Sequence, residues 1–263
     1  MPVTICTWNI NSVRLREPIV LKLLKEEAPD ILCLQETKSP VEKIPTENFA
    51  ALGYEHMIAR GDKGYNGVAI LSRIPIEADE PQNFGGKGDA RHVVGRLASG
   101  VEIHNVYLPA GGDEPDRKKN EKFDHKLNFV DDLHQWGAAR KGPAILVGDL
   151  NIAPREDDVW SHKQLLKVVS HTPIETEAFN AAREAGGWED VTRNDIPDGL
   201  LYSWWSYRAK DWSAADKGRR LDLVGATPDI APKPGAGASR TLRDARGWEK
   251  PSDHAPIFAT FDI

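Results

Sequence analysis

The strongest constraint in this chain is a repeated device: short, largely apolar runs that end abruptly in acid or amide side chains. Residues 144–154 are its clearest instance, reading A-I-L-V-G-D-L-N-I-A-P. Four apolar residues, Ala144 to Val147, predict a buried strand. Gly148 breaks the run, and Asp149 and Asn151 follow. Side chains two apart on an extended chain project to the same side. One carboxylate and one carboxamide are therefore presented together where the strand leaves the core. The pair can take a proton, bind a metal or hold a phosphoryl oxygen. It is equally compatible with a plain turn, since Gly, Asp and Asn are turn formers.

The device recurs along the chain. Val3 to Trp8 predicts a strand ending in Asn9. A helix of about Arg14 to Glu27 follows, with Leu15, Ile19, Leu23 and Val20, Leu24 at helical spacing and Pro29 as its stop. Ile31 to Leu34 is a second buried strand, ending in Gln35-Glu36. Thr46 to Leu52 reads as a short helix. Tyr54 to Ala59 and Gly67 to Ser72 pair around G-D-K-G-Y-N-G, and His92 to Leu97 pairs with Val101 to Leu108 around Ser99-Gly100. A helix of about Glu121 to Arg140 leads into the 144–154 stretch. Asp157 to Ser170 also reads as helical. Thr172, Pro173 and Glu175 form a capping box that opens a helix stopped at Gly186. Leu200 to Tyr207, Leu221 to Gly225 and Ile257 to Phe261 are strand-like. Strands outnumber helices, and helices separate strand groups. The expectation is an α/β fold of two packed sheets with helices outside, and a strand–polar end–helix unit opens each half.

Composition excludes several classes. With 263 residues, one large domain spanning 1–263 suffices. A net charge of −6 argues against coating nucleic acid through global charge, though not against a local basic face. Cys6 and Cys33 lie in apolar runs and read as reduced, buried thiols. No run reaches the ~18 apolar residues of a membrane span, and the N-terminus lacks a secretory pattern. A cytoplasmic protein without membrane association is expected.

Collected together, the strand-end polar residues are Asn9, Glu36, Tyr107, Asp149, Asn151, Asp222 and the Asp253-His254 pair. The set is rich in hard oxygen donors and holds one imidazole, which suits Mg²⁺ or Mn²⁺ and not zinc. The segments carrying it are T-W-N-I-N, L-Q-E-T-K, Y-N-G-V-A-I-L-S-R, Y-L-P, G-D-L-N-I-A-P, S-W-W-S-Y-R, R-L-D-L and S-D-H-A-P-I. In this order, from Thr7 to Ile257, they resemble the exonuclease III family of abasic-site endonucleases, in the endonuclease/exonuclease/phosphatase superfamily.

That resemblance implies a four-layer α/β/β/α sandwich of two mixed sheets. It also implies a Mg²⁺-dependent repair phosphodiesterase that cuts 5′ to an abasic site, leaves a 3′-hydroxyl, and has 3′→5′ exonuclease and 3′-end-cleaning activity. Its partner would be double-stranded DNA with abasic sites or 3′ ends, and a monomer is expected. By the same resemblance Glu36 is the principal metal ligand, with Asn9 and Asp253 close to the metal. Asp149 activates the attacking water, and Asn151 holds the water and phosphate. His254, partnered by Asp222, contacts the phosphate, as does Tyr107. Trp204 and Leu221 match a small apolar pocket for a flipped, baseless sugar.

Lys38, Arg91, Arg208, Lys217, Arg219 and Arg220 are candidates for a positive rim that contacts phosphates. Two positions depart from the family pattern. Ala110 stands where relatives often carry Gln or Asn, and Arg219 replaces an aromatic or aliphatic residue near the pocket. Both bear on the DNA grip and leave the chemical groups in place. Two other readings remain: a phosphoesterase of the same superfamily acting on a small or lipid phosphoester, and a nucleic-acid-binding regulator without catalysis. The intact Glu36, Asp149, Asn151 and His254 weigh against the second.

Overall fold

The structure, a computed structural model, describes residues 2–263. In chain order, β1 (Pro2–Asn9), α1 (Glu17–Glu26) and β2 (Ile31–Gln35) form the first strand–helix–strand unit. After α2 (Thr46–Ala50) come β3 (His56–Asp62), β4 (Tyr65–Ser72), β5 (Ile76–Asp79), β6 (His92–Leu97) and β7 (Glu102–Tyr107). Then α3 (Glu121–Ala139) leads to β8 (Ala144–Asp149), α4 (His162–Leu165), α5 (Pro173–Ala185), β9 (Glu189–Asp190) and α6 (Val191–Asp195). The chain finishes with β10 (Trp204–Trp205), α7 (Trp212–Ala215), β11 (Gly218–Arg219), β12 (Asp222–Ala226), β13 (Ser239–Thr241) and β14 (Ile257–Asp262).

Two six-stranded sheets result, ordered β13-β14-β1-β2-β4-β3 and β5-β6-β7-β8-β12-β9. Each has one parallel pair near its centre, β1 with β2 and β7 with β8. A parallel pair requires a crossover, and the helices α1 and α3 supply the two. The duplicated layout expected from the sequence is therefore present in the topology.

Strand alternation builds the layers. On β1, Val3 and Ile5 face the inter-sheet core with Ile31, Cys33, Val68, Ile103, Ile145, Val147 and Val224. Cys6 and Trp8 face the other way, against Ile19, Val20, Leu23 and Leu24 of α1. The second sheet turns Val106, Leu146 and Leu223 outward onto Phe129, Val130 and Leu133 of α3 and Phe179 of α5. This is the four-layer α/β sandwich. Each fully buried aliphatic side chain in it contributes roughly 1.5–3 kcal/mol relative to exposure. Cys6 and Cys33 are both buried and free, one on each face of their sheet.

Three expectations are corrected. Gly148 does not end its strand: β8 runs through it to Asp149, paired with Leu223 and Val106. Its φ is +143°, and a Cβ there would lie 1.8 Å from the Val106 carbonyl oxygen, so glycine is required by close approach. The Asp157–Ser170 segment holds only the four-residue α4 and a turn before it. Its backbone is diverted to other partners: Val159 bridges Arg219, and the Trp160 N–H donates to the Gly218 carbonyl at 3.1 Å. The strand-like 200–207 stretch narrows to Trp204–Trp205. The capping box at Thr172 forms, the Glu175 carboxylate accepting from the Thr172 N–H at 3.2 Å and hydroxyl at 2.6 Å.

Candidate active site

The polar strand ends converge at one end of the sandwich. Asn9 closes β1, Glu36 follows β2, Tyr107 closes β7 and Asp149 closes β8. Asp222 opens β12 directly opposite Asp149 in the ladder. His254 sits ahead of β14, its carbonyl accepting from the Trp8 indole at 2.9 Å. Glu36, Asp149, Asn151, Asp253 and His254 line one cleft of about 760 Å³. Backbone at the rim is unusual: Glu36 (φ +50°), Lys38 (+49°), Asn11 (+49°) and Asn151 (+49°) are all left-handed. Such conformations are strained for non-glycine residues and persist where surrounding structure enforces them. Asp149 and Asn151 therefore meet through a turn, and not by extended-chain alternation.

The side chains form one network. The Asn9 amide N–H₂ donates to Glu36 Oε1 at 3.0 Å and to Asp149 Oδ2 at 2.8 Å. Its own oxygen accepts from the Asn11 N–H at 3.1 Å. Asn9 is thus placed as a donor bridging two carboxylates, and its oxygen is turned to the backbone instead of to a metal. Tyr107 donates its hydroxyl to Glu36 Oε1 at 2.8 Å. Asn151 donates through Nδ2 to Asp149 Oδ2 at 3.1 Å and to the Leu108 carbonyl at 2.8 Å, and through its backbone to Asp149 Oδ1 at 3.0 Å. His254 Nδ1 lies 2.7 Å from Asp222 Oδ2, and its Nε2 is 3.8 Å from Asp149 Oδ2. Asp253 accepts from Asn11 Nδ2 at 3.1 Å and from the Trp204 indole at 3.0 Å.

Burial and neighbouring charge set the protonation states. Burial alone would push His254 down, but the Asp222 carboxylate, then Asp149, hold it up at about 10. Burial pushes Asp149 up to about 7, against the pull of His254 and with Asp222 adding to the rise. Glu36 is held below the usual carboxylate range: burial opposes this, but the Lys38 ammonium and the Asn9 amide outweigh it. Tyr107 is driven well up by burial, then by Glu36 and Asp149. The site therefore offers an ionised carboxylate, a carboxyl poised near neutrality, an imidazolium and a protonated phenol.

These features agree with the comparisons. A sequence profile of the Endonuclease/Exonuclease/phosphatase family matches residues 6–254. The chain belongs to this family. It is 28% identical over 273 residues to exodeoxyribonuclease III of Haemophilus influenzae, covering 97% of this chain and 98% of that protein. Among solved structures, an AP endonuclease from Archaeoglobus fulgidus superposes with a TM-score of 0.89 at 33% identity, covering 99% of this chain and 100% of that one. A 3′ phosphatase from Neisseria, bound to product DNA hairpin, superposes with a TM-score of 0.88 at 30% identity, with the same coverage. The likeness to exonuclease III-type AP endonucleases read from the motifs is thus shown.

Family membership sharpens the question of a metal. Asp149, Asp222 and His254 each offer a ligand atom within 4.8 Å of the others. Two of the three are already bonded to each other, so this trio reads better as an acid–imidazole–acid relay. Glu36 is the better seat for a hard cation. Its carboxylate is ionised, and the Lys38 ammonium already rests on Oε2 at 2.7 Å, a positive charge accommodated there. With Asp253 in the same cleft, the oxygen donors fit a divalent ion of the Mg²⁺ type.

The expected basic rim divides. Arg208, Lys217 and Arg219 line the cleft, together with Trp204 and Leu221. Arg219 stacks over the Trp204 ring at 5.2 Å and donates to Ser170 Oγ at 2.7 Å. Lys38 is engaged by Glu36 and Asn11 Oδ1. Arg91 is not on the rim. It is buried, paired with Asp89 at 3.0 Å, donates to the Tyr107 carbonyl at 3.3 Å and stacks on that tyrosine's ring at 4.8 Å. Arg220 is fully buried between Asp158 and Asp190, both at 2.7 Å, and cannot meet a phosphate. Trp205 packs in the core with Tyr202 and Ala255. Sequence reading did not single out Asn11, which touches Lys38 and Asp253, or Ser170, although T-W-N-I-N already alternated two amides at a strand end.

Proposed function

We propose that this chain is a divalent-metal-dependent DNA-repair nuclease acting through residues 1–263 as one domain and as a monomer. It hydrolyses the phosphodiester 5′ to an abasic site, leaves a 3′-hydroxyl, and trims and cleans 3′ ends. The observation that carries this is the joining of Glu36, Asn9, Asp149, Asn151 and the Asp222–His254 pair in one cleft beside cationic Arg208, Lys217 and Arg219. The named activities of the Haemophilus, Archaeoglobus and Neisseria relatives support it.

Hydrolysis of a phosphodiester needs a deprotonated water in line, neutralised phosphoryl oxygens and help for the leaving oxygen. Asp149 takes the water's proton, its carboxylate steadied by Asn9 and Asn151. Asn151 positions the water and an adjacent phosphoryl oxygen. His254 donates from Nε2 to a non-bridging oxygen, and Asp222 fixes its ring and charge. Tyr107 sets the orientation of Glu36 and faces the phosphate. Glu36, with Asp253 nearby, would hold Mg²⁺, with Mn²⁺ as its substitute; when bound the ion supplies positive charge for the phosphoryl and leaving oxygens. Trp204 and Leu221 offer the apolar wall for a baseless sugar.

The test is cleavage of an abasic duplex and of an undamaged duplex with a recessed 3′ end, in Mg²⁺ and in EDTA. The expected result is Mg²⁺-dependent incision that Glu36→Gln shifts to higher Mg²⁺ concentration. EDTA-resistant incision by the pure protein would overturn the reading. No helix among the described residues is long and apolar enough to cross a membrane. We place the enzyme in the cytoplasm, with DNA as partner.

A further inference from the structure

We infer that Lys126 is a positioning residue for this active site, a role that rests on the nuclease reading above. Lys126 lies on α3, on the face that carries Phe123 and Leu127, and its side chain is fully buried. A lysine in such a place needs three acceptors for its three donors. It has three. Its Nζ is 2.5 Å from Glu175 Oε1, 2.8 Å from the Asn151 carbonyl oxygen and 3.3 Å from the Ala110 carbonyl oxygen.

Two of these acceptors are the backbones of the loops that carry the chemistry. Asn151 is the residue that steadies Asp149; it stands in a left-handed conformation that asparagine tolerates, and its carbonyl oxygen is held by the Lys126 amine. Ala110 follows Tyr107 on the neighbouring loop. The next residue, Gly111, lies directly on the lysine stem, where an added Cβ would come 2.7 Å from Lys126 Cδ. The third acceptor reaches a further wall of the cleft. Glu175 takes the Ser170 N–H at 2.9 Å, and Ser170 Oγ in turn takes Arg219. One buried amine therefore ties the 108–111 loop, the 149–151 turn and the 170–175 segment into a single cleft wall. Lys126 touches no reacting group. It acts by fixing where Asn151 stands.

Two variants separate the amine from its charge partner. Glu175→Gln removes the carboxylate but keeps an amide oxygen for the Ser170 and Thr172 N–H groups; with its counter-charge gone the buried Lys126 amine sheds its proton, accepts from the new amide N–H and still donates to both loop carbonyls. Lys126→Met/Glu175→Gln removes the amine as well, without stranding a buried charge. Turnover and KM are measured on abasic duplex DNA at saturating Mg²⁺, with kcat scaled to the folded fraction from circular dichroism. Wild-type turnover on the same substrate is the control for the nuclease reading, so a loss confined to the variants bears on Lys126 alone. Glu175→Gln is expected to keep kcat within about threefold of wild type. The double variant should lose at least about tenfold in kcat relative to Glu175→Gln, with KM within about threefold, as sub-ångström to ångström misplacement of a positioning group produces. A smaller loss, one that disappears on scaling to folded protein, one confined to KM, or a Glu175→Gln variant as impaired as the double would overturn the proposal.

Discussion

Replacing Asp222 by Asn isolates what holds the active-site imidazole charged. Asp222 is fully buried and meets His254 Nδ1 at 2.7 Å. Burial on its own drives the ring toward neutrality; Asp222, with Asp149 second, reverses this and carries the group from 6.5 to about 10. That rise corresponds to roughly 5 kcal/mol of preference for the imidazolium. Asparagine keeps the volume and can still hydrogen-bond, but removes the larger charge, so His254 should fall back into or below the ordinary histidine range. At pH near 8 the ring is then neutral, and its donor no longer strengthens as charge builds on the phosphate. The expected loss in kcat is about 10²–10⁴-fold. Stability should change with pH as well. A folded-state value raised above the unfolded one stabilises fully below 6.5 and loses that contribution as pH rises toward about 10. Wild-type stability should therefore decline over that window, and the variant's should decline less. The assay is single-turnover incision at saturating Mg²⁺ across the window, with ¹⁵N NMR of the imidazole and urea unfolding in parallel. A variant that keeps kcat within about threefold, with His254 still protonated at pH 8, would refute the reasoning.

Two further outcomes follow from the same geometry. Asp149→Asn should lower kcat at least about 10²-fold while the protein still folds. Because burial pushes Asp149 up to about 7, wild-type kcat/KM should climb with pH through that region, and a limb in the ordinary carboxylate range would speak against Asp149 as base. Arg219→Ala removes a guanidinium that stacks on Trp204 and, among the described residues, has no carboxylate within ion-pair distance, so KM for duplex DNA should rise about five- to twentyfold with kcat little changed. The salt dependence of binding should also flatten by about one phosphate contact; an unchanged KM and slope would remove Arg219 from the interface.

What could be read from the sequence depended on whether the signal was local. Apolar runs ending in Asn9, Glu36, Tyr107 and Asp149 are local patterns, and all became strand ends at the site. Burial of charge is not local. Arg220 read as a rim cation because an arginine in a polar stretch gives no hint that Asp158 and Asp190 come to meet it from elsewhere in the chain, and Arg91, whose partner Asp89 is only two residues away, gave no hint that Tyr107 would cover it. The helix expected over 157–170 failed for a similar reason: β11 claims part of its backbone after folding. Lys126 did leave a trace. It falls on the apolar stripe of α3 beside Phe123 and Leu127, where a lysine is costly unless paired.

Three of the pairings were out of reach because they cross from one sheet to the other. Asn9 and Glu36 stand at the ends of strands in the first sheet, and Asp149, Tyr107 and Asp222 belong to the second. Asn9 donates to Asp149, Tyr107 to Glu36, and His254, pinned to β1 through the Trp8 indole and Ser252, meets Asp222. A shift of one sheet on the other by a single residue would break all three bonds together. Something must therefore fix the relative position of the sheets near the site, since apolar packing alone tolerates sliding better than a hydrogen bond does. Asn105 is placed to do this. Fully buried on β7, it donates to the Leu34 and Ala69 carbonyls at 3.0 and 2.9 Å and accepts from Gln35 Nε2 at 2.7 Å. Tyr107 lies two residues beyond it and Glu36 one residue beyond Gln35, so the clamp that sets the sheet offset sits directly beneath the Tyr107–Glu36 bond. The chemistry of this cleft is in that sense a property of the interface between two sheets, and no single strand end carries it.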